Sequence, residues 1–154
     1  MHLPLIWRPA PKAHVAPAVV TRPVGLVDLA PTFATIAGLA PQDWMQGQTL
    51  PVNDADADAR RFERVLTEWD SELFGVDVHI RTITRDGWVC STYRPGTVHD
   101  GTEGELYDLV EDPYQQVNRW DDPRCGARRS DLVADLVDHE PPAHQPRLDL
   151  EAPV

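Results

Sequence analysis

The sequence predicts an α/β chain: a short strand and helix, followed by a small antiparallel sheet subdomain with a C-terminal helix. Three observations carry this. Residues 26–38 hold a short, sharply punctuated helix, Asp86-Gly87 sits between two alternating runs as a hairpin turn, and Asp122-Pro123 opens a segment with the apolar stripe Leu132, Val133, Leu136 and Val137.

In chain order, Leu3-Pro4-Leu5-Ile6-Trp7 is an apolar run stopped by Arg8-Pro9 and Pro11, expected as a buried strand leading to an extended loop. A chain opening inside a strand is expected to be truncated. Ala18-Val19-Val20-Thr21 is a second extended stretch. In the helix that follows, Asp28 suits the N-cap, Pro31 the first turn and Gly38 the left-handed C′ position. Leu29, Phe33, Ile36 and Ala37 share one side, which is expected to pack on a sheet.

Residues 51–61 alternate alanine and aspartate without a core-forming side chain and are expected to be an acidic linker. Phe62 to Trp69 is a strand candidate. Val78 to Tyr93 is a hairpin whose two-residue turn sets Ile83 opposite Cys90 and Arg85 opposite Trp88 on one face, with Ile80 and Tyr93 on the other. Glu105-Leu106-Tyr107-Asp108-Leu109 adds a strand, ended by Glu111-Asp112-Pro113. The expected organisation is therefore a strand-and-helix segment over 1–50, a linker over 51–61, an α+β subdomain over 62–140 and a proline-rich tail over 141–154.

Composition narrows the function. A hydrophobic fraction of 42% and a charged fraction of 25% suit a folded chain. With 25 acidic against 14 basic side chains, the net charge of -11 repels a phosphate backbone, so nucleic acid is not an expected partner. Nor is a membrane: no run is long enough to span one. The first residues lack a basic region and a sustained apolar segment, so no signal peptide is read and a cytoplasmic location is expected. Cys90 and Cys125 lack C-x-x-C spacing and are compatible with free thiols or with a disulfide.

Four segments, in order and spacing, resemble the C-terminal third of the sulfatase family within the alkaline-phosphatase-like superfamily. They are Leu3 to Pro9; Val27-Asp28-Leu29-Ala30-Pro31-Thr32 with Ala37-Gly38; Met45-Gln46-Gly47-Gln48-Thr49-Leu50; and Gly104 to Leu109 with Asp112-Pro113 and Asn118. Ile80-Arg81-Thr82 through Arg85-Asp86-Gly87-Trp88 is similar to the family's hairpin. The resemblance implies that residues 1–50 end an alkaline phosphatase-like α/β domain. It also implies a parent activity of metal-dependent hydrolysis of sulfate, phosphonate or phosphate esters. A divalent metal, usually calcium, and a formylglycine made from C-x-P-x-R or S-x-P-x-R are expected in the intact parent, upstream of Met1. No catalytic, cofactor-binding or metal residue is assigned to this chain, which alone is expected to be inactive. The expected partners are a separate N-terminal sulfatase portion or a second copy. A non-catalytic interaction module complementing such a portion is the alternative reading.

Several residues imitate a functional site. Cys90 and Cys125 each precede an arginine by four positions, Arg94 and Arg129, but neither segment has the proline of the nucleophile motif. Cys90 falls inside a strand beside Ile83, where packing is expected. Cys125, near a helix start with Arg128 and Arg129, has surroundings that lower a thiol pKa in principle, and a bystander role is expected. Asp54, Asp56 and Asp58 lack the glycine and terminal glutamate of a calcium loop, and Asp121-Asp122 suit a helix start. His2, His14, His79, His99, His139 and His144 show no metal-ligand spacing. His79, with Glu68, Asp70 and Arg81, is read either as bordering a substrate pocket in an intact relative or as part of a subdomain salt-bridge network.

Overall fold

The computed structural model describes residues 5–60 and 63–140. Expectations for Leu3, Pro4, Phe62 and the tail 141–154 lie outside these residues. The chain forms two compact units, Met1–Val65 and Leu66–Val154.

In the first unit, Leu5-Ile6-Trp7 form no strand, and Ile6 is 92% exposed. This corrects the expectation of a buried strand there: a short apolar run becomes a strand only where a neighbour completes its ladder, and none of the described residues does so here. A 3-10 turn over Leu26–Asp28 leads into α1, Leu29–Ile36. The C-terminus ends as the sequence predicts. Gly38 has φ +76, its N–H bonds the Thr35 carbonyl, and the Leu39 N–H reaches the Ala34 carbonyl, closing a Schellman motif.

The buried face of α1 differs from the expected one. Phe33 and Ile36 are each 62% exposed, whereas Asp28, Pro31 and Thr32 are buried. The face buried among the described residues is instead a polar one whose groups are bonded inside their own unit. The Thr32 hydroxyl donates to the Asp28 carbonyl at 2.6 Å and accepts the Leu50 N–H at 2.8 Å. Residues 51–61 also differ from a bare linker. Asn53 caps a short helix α2, Asp54–Asp58, by accepting the Asp56 N–H at 2.9 Å, and Ala57 is buried.

The second unit holds a four-stranded sheet in the order β1-β2-β3-β4, with β1 Arg64–Leu73, β2 Val76–Arg85, β3 Trp88–Arg94 and β4 Gly104–Asp108. The pairs β2–β3 and β3–β4 are antiparallel. The predicted register holds: Ile83 faces Cys90, Arg85 faces Trp88 and Ile80 faces Tyr93. The Asp86-Gly87 turn has φ values of 53 and 75, both positive as a type I′ turn requires. A second tight turn, Phe74-Gly75, joins β1 to β2 and extends β1 beyond the expected end at Trp69.

Asp122 accepts the Arg124 N–H and opens a 3-10 turn, Pro123–Cys125, which continues as α3, Gly126–His139. Leu132 and Leu136 of α3 bury against Ile83, Cys90 and Leu106, with Leu66, Trp88, Trp120, Cys125 and Val133 around them. Val137, expected in the stripe, is 64% exposed. The apolar strip that meets the sheet is thus narrower than the sequence pattern.

Candidate functional site

Three of the four segments that carry the sequence resemblance form two knots, one in each unit. In the first, the Asp28 carboxylate, just before α1, accepts the Gly25 N–H at 2.9 Å, the Gln48 N–H at 2.8 Å and an Arg60 Nη2–H at 2.7 Å. It makes no N-cap bond to α1, contrary to expectation; its two oxygens are used up by these partners instead. Arg60 and Asp28 are both nearly enclosed, so each neutralises a charge that burial alone would penalise. Gly47 makes the knot possible: a Cβ there would lie 2.1 Å from the Val27 carbonyl oxygen. The segments Val27 to Thr32 and Met45 to Leu50 are therefore two halves of one structural device.

The second knot fastens β4. Asn118 Oδ1 accepts the Leu106 N–H at 3.0 Å and the Trp120 N–H at 2.9 Å, while its Nδ2 donates to the Gly104 carbonyl at 3.1 Å. A Cβ at Gly104 would meet the Trp120 ring at 2.4 Å. The Asp108 carboxylate accepts the Val110 and Glu111 N–H groups, and that of Asp112 accepts those of Gln116 and Val117. Asparagine reproduces the donor and acceptor pattern of a neighbouring strand, so Asn118 completes the edge of β4 where the chain turns away.

The charged cluster read around His79 lies on β1, β2 and the end of α3. The buried Arg81 guanidinium forms a two-pronged pair with Asp70, Nη1 to Oδ1 at 2.8 Å and Nη2 to Oδ2 at 2.9 Å. Its Nε donates to Glu140 at 2.6 Å and lies 3.6 Å from Glu68. Arg94 also bonds Glu140. The Arg81 hydrogen bonds, helped by His79, hold Asp70 down at about 2. His79 is raised, first by its hydrogen bond to Asp70 and then by Asp77. These contacts form a salt-bridge network across the subdomain.

The remaining candidates are placed as follows. Cys90 is buried in β3, where desolvation pushes its thiol up to about 11, unsuited to a nucleophile or to modification by an external enzyme. Cys125 is half-buried against the α3 core, and both cysteines are free. Arg129 is turned to the Trp120 carbonyl and lies 5.1 Å over its ring, away from any nucleophile role with Cys125. Asp54, Asp56 and Asp58 sit on α2 rather than in a calcium loop, and among the described residues no three His, Cys, Asp or Glu converge as a metal site. These residues do not fit the calcium or formylglycine implied by the resemblance. His2 and His144 lie outside the described residues. No described helix is long and apolar enough to cross a membrane.

The sheet with its covering helix matches the C-terminal subdomain of sulfatase structures, and the chain resembles a sulfatase C-terminal portion over 72% of its length. It is 28% identical to the 2-O GAG sulfatase BT1596, with a TM-score of 0.61, over 72% of this chain and 23% of that one. The same values hold for a Bacteroides thetaiotaomicron VPI-5482 protein assigned as a sulfatase. The phosphonate monoester hydrolase of Agrobacterium radiobacter shares the fold at 20% identity and a TM-score of 0.55, again over 72% of this chain and 23% of that one. The chain thus spans about a quarter of the length of these structures. No family model and no curated protein matches the sequence.

Proposed function

We propose that this chain is the C-terminal portion of a sulfatase-type hydrolase, and that the complete protein hydrolyses sulfate esters, or related phosphonate or phosphate esters, in a metal-dependent reaction. One observation carries the reading: the likeness to sulfatase structures, at 28% identity, extends over 72% of the chain. The 154 residues alone are inactive in this account. Cys90 lies in the core, Asp54, Asp56 and Asp58 lie on α2, and Asp122 caps the turn that opens α3. Calcium and formylglycine belong to the part of the protein that precedes these residues in the parent fold.

The exposed Phe33, Ile36 and Leu39 on and after α1 support a missing neighbour for that helix. The rest of an α/β domain, on the same polypeptide or on a separate one, is the partner proposed for this face.

Sequencing the coding region upstream of Met1, together with the intact mass of the protein from its source, tests the proposal. The expected result is an in-frame extension carrying C-x-P-x-R or S-x-P-x-R and metal-binding aspartates. A native mass near 17.2 kDa with no such extension would overturn it.

A further inference from the structure

The imidazole of His79 sits between two carboxylates. Its Nδ1 is 2.7 Å from Asp70 Oδ1 on β1, and its Nε2 is 2.8 Å from Asp77 Oδ1 on β2. A neutral imidazole has one N–H and one lone pair, so it can satisfy only one of these oxygens; the other nitrogen would then turn its lone pair toward an anion. Only the doubly protonated ring suits both neighbours. This is a different arrangement from the usual surface histidine, where one nitrogen faces water.

Among the described residues, the surrounding charges form a connected set. Asp70 is shared with Arg81, and Arg81 also holds Glu140 and lies near Glu68. Arg94 of β3 is the ladder partner of His79, and its guanidinium is turned to Glu140. Removing the proton from His79 therefore leaves Asp70 with Arg81 but leaves the Asp77 carboxylate without its cation. Asp77 is also where the segment after β3 is attached. Its N–H donates to Thr97 Oγ1 at 2.6 Å, and its carbonyl accepts the Thr97 N–H at 3.2 Å.

We propose that His79 is a proton-operated clasp: as the imidazolium it ties β1 to β2 and steadies the Asp77–Thr97 junction, and as the neutral ring it releases that end of the sheet. The sign follows from the carboxylates. They raise the folded-state pKa above the ordinary histidine value, so the stabilisation is fully present below about pH 6.5 and is lost as pH rises through the folded-state value. The clasp is a property of this portion by itself and goes beyond the hydrolase reading.

Long-range proton–nitrogen NMR of the histidine rings in the whole chain, titrated from acid to mildly alkaline pH, tests it. His79 is assigned by the signal lost in His79→Gln. The expected result is a ring protonated on both nitrogens at neutral pH, with a midpoint above 6.5 that falls by about half a pH unit or more in Asp77→Asn. Amide exchange at Asp77 and Thr97 should then rise above its intrinsic pH dependence across the same midpoint, and should lose that extra rise in His79→Gln. A midpoint at or below 6.5, or one that Asp77→Asn leaves unmoved, would overturn the clasp.

Discussion

Asp28 shows how one polar side chain can outweigh an apolar stripe. Its carboxylate is buried with Arg60, so replacing it by alanine strands a guanidinium inside the first unit. We expect Asp28→Ala to destabilise that unit by about 3 kcal/mol or more, read from urea unfolding. The glycines at close approaches give a second prediction on the same scale. Gly104→Ala drives a Cβ into the Trp120 ring and Gly47→Ala drives one into the Val27 carbonyl, so both should lower the melting temperature. Gly47 is the worse case, because backbone yields less than a ring edge. Thiol labelling should find Cys90 unreactive in the folded chain and reactive only after unfolding, as its burial and raised pKa require.

Among the elements, the β1–β2 turn is the clearest place to gain stability. Phe74 holds φ 53 and is 96% exposed, a left-handed conformation for which an aromatic side chain is poorly suited. Phe74→Asn should raise stability by roughly 0.5–1 kcal/mol, measured by thermal or urea unfolding. The same turn explains what the sequence concealed. Asp86-Gly87 announces its hairpin because aspartate and glycine both tolerate positive φ, and the whole β2–β3 register follows from it. Phe74-Gly75 announces nothing, since the tertiary arrangement imposes the conformation against local preference. Likewise α2 was hidden in an alanine–aspartate alternation that composition assigns to solvent. The burial of Asp28 and Thr32 at α1 is likewise invisible to hydropathy, because it rests on hydrogen bonds to distant backbone groups. The helix ends were legible from Gly38 and from Asp122-Pro123, where the chemistry is local.

For the whole molecule, the salt-bridge network gives the second unit a dependence on acid. Asp70 is depressed to about 2 by Arg81 and His79, so its contribution is present above the ordinary carboxylate range and is lost as pH falls from about 4 toward about 2. Acid titration of unfolding should show this loss in the native chain and a weaker one in Asp70→Asn. The candidate site was legible to a similar degree as the fold. The sequence brought Glu68, Asp70, His79 and Arg81 together, but it left open whether they border a pocket or brace the subdomain. The two-pronged Asp70–Arg81 geometry and the reach to Glu140 supply the bracing, and neither is visible in residue spacing.

The most direct test of the central claim is ester hydrolysis. The 154-residue chain and the polypeptide from the complete reading frame are assayed side by side on an aryl sulfate and on a phosphonate monoester, with calcium present. The account predicts turnover by the longer polypeptide alone. Turnover by the 154-residue chain that disappears in Cys90→Ala or Cys125→Ala would contradict it.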